Sequence, residues 1–96
     1  MEYQRIGIKR FNEKEVTLIV CVQMKTKLKN GYEYLFTNCI IVSNDFEYIN
    51  HLHVRDTIDL KEKEIYKIKG TIYSYNKGSK IISFSVKNIK DVILLH

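Results

Sequence analysis

At 96 residues the chain has room for one small hydrophobic core and no second domain. Its 45% hydrophobic and 28% charged content excludes a disordered polymer, and no apolar run approaches the roughly 18 residues that span a bilayer. The formal net charge of +5 makes polyanions better partners than cationic ligands.

The opening residues MEYQRIGIKRF hold neither an apolar signal core nor a small-residue cleavage site, so a cytoplasmic location is expected. The chain contains no Ala, Pro or Trp and is rich in Ile, Lys, Asn and Tyr. Those residues have AT-rich codons, which points to an AT-rich genome such as that of a low-GC bacterium or its mobile elements. The two cysteines, Cys21 and Cys39, are too few for a disulfide framework or a zinc cluster and are expected as free thiols.

In chain order, residues 3–11 (YQRIGIKRF) predict a short first strand. EVTLIVCVQMKTKLK and YEYLFTNCIIVS then alternate across a Lys29-Asn30-Gly31 turn and predict a hairpin. With a three-residue loop, Leu28 faces Tyr32, Met24 faces Phe36, Val22 faces Asn38, Val20 faces Ile40 and Leu18 faces Val42. That register gathers most large apolar residues on one face and sets Cys21 opposite Cys39.

SNDFEYINHLH, residues 43–53, offers Ser43 or Asn44 as a cap, acidic Asp45 and Glu47 in a first turn, and Phe46, Ile49 and Leu52 at helical spacing. One short helix is expected there. The charged run Lys61-Glu62-Lys63-Glu64 reads as a solvated connection. Ile65 to Tyr75 then alternates strictly, with Tyr66, Ile68, Gly70, Ile72 and Ser74 on one face and Lys67, Lys69, Thr71, Tyr73 and Tyr75 on the other. After a turn at residues 76–79, a last strand sets Ile82, Phe84 and Val86 against Ser83, Ser85 and Lys87. Apolar Val92, Ile93, Leu94 and Leu95 ask for burial in the fold or against a partner.

Three meandering strands, a short helix and a closing hairpin are the element order of the OB-fold, a five-stranded Greek-key β-barrel. The phrase Glu64-Ile65-Tyr66-Lys67-Ile68-Lys69-Gly70-Thr71-Ile72 resembles the fourth strand of many OB domains, with a mid-strand glycine that lets the barrel bend. Within that fold the chain resembles the single-stranded DNA-binding and replication-accessory proteins of phages, plasmids and other mobile elements. It departs from cellular bacterial single-strand-binding proteins in lacking their acidic tail, so no tail-dependent recruitment is carried over.

The resemblance implies a groove across the second and third strands, framed by two loops. In this chain that groove takes Lys25, Lys27, Tyr32 and Tyr34, with Lys77 and Lys80 in the closing loop. Tyr73 and Tyr75, sharing a face with Lys67 and Lys69, are the rings best placed to stack on bases, with the lysines supplying salt-dependent attraction. Tyr32, Tyr34 and Tyr66 lie on faces read as inward, where a ring fills a core as readily as it stacks.

Catalysis finds no support in the residues. His51 and His53 are two apart, which on a helix separates their faces, and no acidic or thiol cluster accompanies them. Neither a phosphate-binding loop nor a nucleophile triad can be recognised. The expected function is therefore non-enzymatic and free of cofactor or metal: holding single-stranded DNA, with RNA left open, in replication or maintenance of a mobile element. The alternative is an accessory subunit that docks on a polymerase, primase or helicase, with its apolar C-terminus serving a partner or an oligomer.

Overall fold

The computed structural model describes residues 8–43, 46–76, 78 and 82–95. They form five antiparallel strands, β1 (Glu15–Leu28), β2 (Gly31–Val42), β3 (Glu47–Asp56), β4 (Ile65–Asn76) and β5 (Ile82–Leu95), in one sheet of order β3-β2-β1-β4-β5. An all-β fold is thus present, but its strands are not the five expected. Residues 8–13 make a helical turn, held by Phe11 N–H to the Ile8 carbonyl and Asn12 N–H to the Lys9 carbonyl. The rest of the expected first strand, residues 3–7, lies outside the described residues. Residues 47–53 of the expected helix belong to β3, and its Asn44 and Asp45 lie outside the described residues.

The two outer strands, β3 and β5, come side by side because the sheet curls strongly. Both run parallel to β1, as the chain of antiparallel pairings requires. Among the described residues they share no backbone ladder, so the sheet is not closed into a hydrogen-bonded barrel. One side-chain bond crosses the seam, from Ser85 Oγ to the His53 carbonyl at 2.6 Å.

Curling this tight needs strands that bend, and the bends are visible as β-bulges. On β2, Asn38 has φ 51, and the pairing with β1 shifts between Ile19↔Ile40 and Cys21↔Thr37. On β5, Asn88 and Asp91 have φ 56 and 52, and the pairing with β4 gains an extra residue on either side of Lys69↔Lys90. Asn and Asp tolerate this left-handed backbone better than other side-chain-bearing residues, which is why they occupy all three positions.

Each bulge changes which residues point inward. The core-facing residues of β2 are Tyr34 and Phe36 before Asn38, then Cys39 and Ile41 after it. On β5 the inward series runs Val86, Ile89, Val92, Leu94, with two steps of three. The hairpin register corrects accordingly: Leu28 pairs with Gly31 around a Lys29-Asn30 turn, Lys25 with Tyr34, Met24 with Leu35 and Leu18 with Ile41. Met24 is therefore outward and 54% exposed. Gly31, at φ 142, starts β2, and a Cβ there would stand 2.8 Å from the Asp56 carbonyl oxygen.

The core is the concave face of this sheet: Leu18, Val20 and Val22 of β1, the β2 set, Ile49, Leu52 and Val54 of β3, and Tyr66, Ile68 and Ile72 of β4. Burial of each such aliphatic side chain is worth about 1.5–3 kcal/mol, so this stripe is what the fold rests on. Cys39 lies within it, and burial pushes its thiol up to about 12. It faces Ile49 while Cys21 faces Thr37, and both are free thiols.

Two non-strand segments cap the ends. At one end the turn 8–13 buries Ile8 and lodges Phe11 against the core, and Glu13 N–H bonds to the Ile72 carbonyl at 2.7 Å. At the other end the β3–β4 connection, residues 57–64, buries Leu60. Lys61, Glu62 and Lys63 are exposed, as a solvated connection requires, while its backbone is tied to β1: Lys63 N–H meets the Val22 carbonyl and Val22 N–H meets the Glu64 carbonyl.

Candidate functional site

β4 carries the longest unbroken alternation in the chain, and it projects as the sequence predicts through Ile72. Tyr66, Ile68, Gly70 and Ile72 are inward; Lys67 and Lys69 are exposed and Tyr73 and Tyr75 half-exposed on the outer face; Ser74, expected inward, is exposed. Directly opposite the two rings on β5 stand Ser85 and Ser83. Directly opposed residues share a face, so two small side chains lie between the tyrosines and the β3–β5 seam.

The result is a groove of about 410 Å³ that crosses the seam. Tyr73 and Tyr75 form one wall, Ser85 lies on the floor, and His53 and Arg55 of β3 with Glu33 of β2 form the other wall. The two ring centroids are 6.1 Å apart and their planes meet at 42°. Such rings present two separate faces and leave no parallel slot between them. Lys87 Nζ sits 5.2 Å from the Tyr73 ring centroid, a cation–π contact, and is not itself among the residues that line the groove. Across the groove Arg55 Nε donates to Glu33 Oε2 at 3.1 Å.

The remaining predicted residues are distributed elsewhere. Lys67 and Lys69 share the outer face of β4 with the tyrosines but line a second, smaller hollow with Thr17, Asp91 and Ile93. Lys69 there lies 3.8 Å from Asp91. Lys77 and Lys80 fall outside the described residues. Lys27 is exposed near the β1–β2 turn.

Lys25, Tyr32 and Tyr34 lie at the end of the sheet capped by residues 57–64 and do not line this groove, and Tyr34 is a correction to the expected site. Tyr34 is 1% exposed and cannot stack on a ligand. Its hydroxyl donates to the Ile58 carbonyl at 2.6 Å and accepts from Leu60 N–H at 2.8 Å, which fastens the 57–64 connection over the core. Burial pushes its phenol above the ordinary range. Lys25 Nζ bonds Asp59 and lies 4.4 Å from the Tyr32 ring centroid. That hydrogen bond raises the Lys25 ammonium and lowers the Asp59 carboxyl from their ordinary values. The inward Tyr34 brings its outer neighbours to this latch because the Gln23 position, skipped between Val22↔Phe36 and Met24↔Leu35, turns Lys25 onto the same face as Tyr34.

Tyr34→Phe keeps the ring and removes only the clasp. It leaves the buried Leu60 N–H without its acceptor, and a loss of about 1–2 kcal/mol is expected. Chemical denaturation measures the loss, and faster amide exchange confined to residues 57–64 locates it.

Several groove residues were not legible as such in the sequence. His53 was hidden by the helical reading, under which residues two apart diverge, and Arg55 lay just past the end of that expected helix. On β3 they share a face, and the His51 and His53 rings stand 5.7 Å apart. Glu33 had no local signal, and Ser85 had one: Ser83-Phe84-Ser85 alternates small polar with large apolar in step with Tyr73 and Tyr75. Among the described residues no three His, Cys, Asp or Glu side chains gather as metal ligands, and no helix is long and apolar enough to cross a membrane.

Comparison with family models, curated proteins and solved structures finds no match to this chain. The functional reading therefore stands on the groove's own geometry.

Proposed function

We propose that the chain is an OB-like barrel that holds single-stranded nucleic acid, DNA in the first instance, in the groove between Tyr73 and Tyr75 and the β3 wall, without catalysing a reaction. The observation that carries this reading is the pair of outward tyrosines facing Arg55 and His53 across a floor of serine. Half-exposed rings on an outer sheet face take unpaired bases, at ~1–3 kcal/mol each by alanine substitution. Arg55 supplies positive charge where a sugar-phosphate backbone would run. A duplex keeps its base faces stacked on one another and offers the rings nothing.

The OB-like assignment is supported by the order β3-β2-β1-β4-β5 with β3 beside β5. A five-stranded sheet in that order becomes a closed barrel once the β3–β5 seam is zipped. The groove also lies where the outer faces of β2 and β3 meet the β4–β5 hairpin, the place the OB resemblance assigns to a single strand. The lysines of the outer β4–β5 face are a weaker attraction than their number implies. Lys87 lies 3.7 Å from Glu13 and Lys90 2.8 Å from Glu15, the latter bond lowering the Glu15 carboxyl.

A docking role on a replication enzyme is favoured by a different observation. Ile93 and Ile65, 50% and 46% exposed, both stand outward at the end of the β4–β5 ladder where β4 begins and β5 finishes. This reading uses another surface and does not compete for the groove.

The test is fluorescence anisotropy of a labelled mixed-sequence strand and its duplex at two salt concentrations. Single-strand preference that weakens as salt rises is the expected result, with log affinity falling by ~0.7 per phosphate neutralised for each unit of log salt. Equal binding of strand and duplex, or none at low salt, would remove the groove from consideration and leave the Ile65–Ile93 face.

A further inference from the structure

Glu33 is a carboxylate in a groove otherwise suited to an anion. Against a phosphate it is repulsive, so its place in the wall needs another account. Arg55 Nε occupies Oε2 at 3.1 Å, and among the described residues Oε1 has no partner. The side chain is thus held toward the groove by one oxygen and left with an open acceptor on the other. The same bond leaves both Arg55 Nη groups without a protein partner among the described residues, available to a backbone phosphate.

The geometry points to Glu33 as a base-selecting residue: with a base stacked on Tyr73 or Tyr75, its carboxylate accepts a hydrogen bond from an exocyclic amine, favouring cytosine over thymine. The inference rests on the single-strand reading given above. An ionised carboxylate only accepts hydrogen bonds. Cytosine presents the N4 amine, a donor, at the position where thymine presents the O4 carbonyl, an acceptor. Adenine and guanine also carry amines, but their larger rings stack more strongly, so the two pyrimidines isolate the contribution of the edge. Arg55 supports the selection indirectly by holding the carboxylate.

The experiment compares oligo-dC and oligo-dT of equal length by anisotropy on the wild-type chain, Glu33→Gln and Arg55→Gln. Wild type is expected to bind oligo-dC about three- to ten-fold more tightly, the size of one discriminating base-edge contact. In E33Q the ratio should fall to about one, because an amide both donates and accepts. Loss of the negative charge raises affinity for both strands alike, so the ratio is the readout. In R55Q affinity should drop for both strands and the oligo-dC preference should shrink, because the carboxylate is no longer held in place. Equal wild-type binding of the two strands, or a preference that survives E33Q, would overturn the role of Glu33 and leave the groove as a single-strand site. If neither strand binds, the groove reading falls and this inference falls with it. Circular dichroism separates a folding defect from a binding one.

Discussion

Replacing Tyr73 and Tyr75 together by alanine is expected to weaken single-strand binding by roughly 30- to 20,000-fold, from ~1–3 kcal/mol per stacking ring. Both rings are half-exposed on the outer face of β4, and their truncation opens no space in the core, whose β4 members are Tyr66, Ile68 and Ile72. The thermal midpoint should therefore move by only a few degrees. Tyr48→Ala is the matched control: its ring is 46% exposed on β3, but its hydroxyl bonds Asn38 and it does not line the groove. An equal loss in both variants would mean that aromatic surface anywhere on the sheet attracts the strand, and that the groove has no special part.

Gly70→Ala is expected to destabilise the fold by about 1–3 kcal/mol, the typical cost of overpacking a closed core. A Cβ built on Gly70 would stand 2.4 Å from Val86 Cγ1 and 3.2 Å from the Lys87 carbonyl oxygen. Val86 is fully buried and β-branched, so its methyl has no easy alternative rotamer. Gly70 is thus required by close approach, since its backbone has no positive φ. The double variant with Val86→Ala should lose less stability than the sum of the two single changes, because the space vacated by one receives the other. Strict additivity in urea denaturation would show that the glycine serves bending alone.

How far the sequence reveals this fold depends on where the bulges fall. Ile65 to Ile72 has none on its own strand, and its alternation can be read directly as two faces. The β1–β2 hairpin was legible as a hairpin, but its register was not. The extra β2 residues around Asn38 move the inward positions from even to odd, and a parity argument assumes one parity throughout. The same change of phase explains the spurious helix. Phe36 pairs with Leu52 and Cys39 with Ile49, so the three-residue step on β2 is matched by a three-residue step on β3. Ile49 and Leu52 consequently repeat at a spacing that mimics a helical face. The described residues hold five strands, one of them hidden under that helix reading, while residues 8–11 of the strand expected near the N-terminus belong to a helical turn.

Of the site, the aromatic wall was readable and the opposing wall was not. Tyr73 and Tyr75 declare themselves by alternation within one strand. Arg55, His53 and Glu33 join them only because β3 returns to the far edge of a curled sheet, a relation between residues some twenty to forty positions apart that local pattern does not encode. Tyr34 shows the converse. It was equally consistent with ligand or core, and the buried donors and acceptors of residues 58–60 decide for the core.

The bulges at Asn88 and Asp91 bear on how the chain behaves in the company of its own copies. A fourteen-residue outer strand is long enough to recruit another strand onto its edge, the first step toward fibrils. An approaching straight strand would match the hydrogen-bonding groups of β5 for only a few residues before each bulge put them out of step. Lys87 and Lys90, next to the two bulges, add mutual repulsion between copies. The distortions that bend the sheet toward closure thereby keep its longest edge from serving as a template.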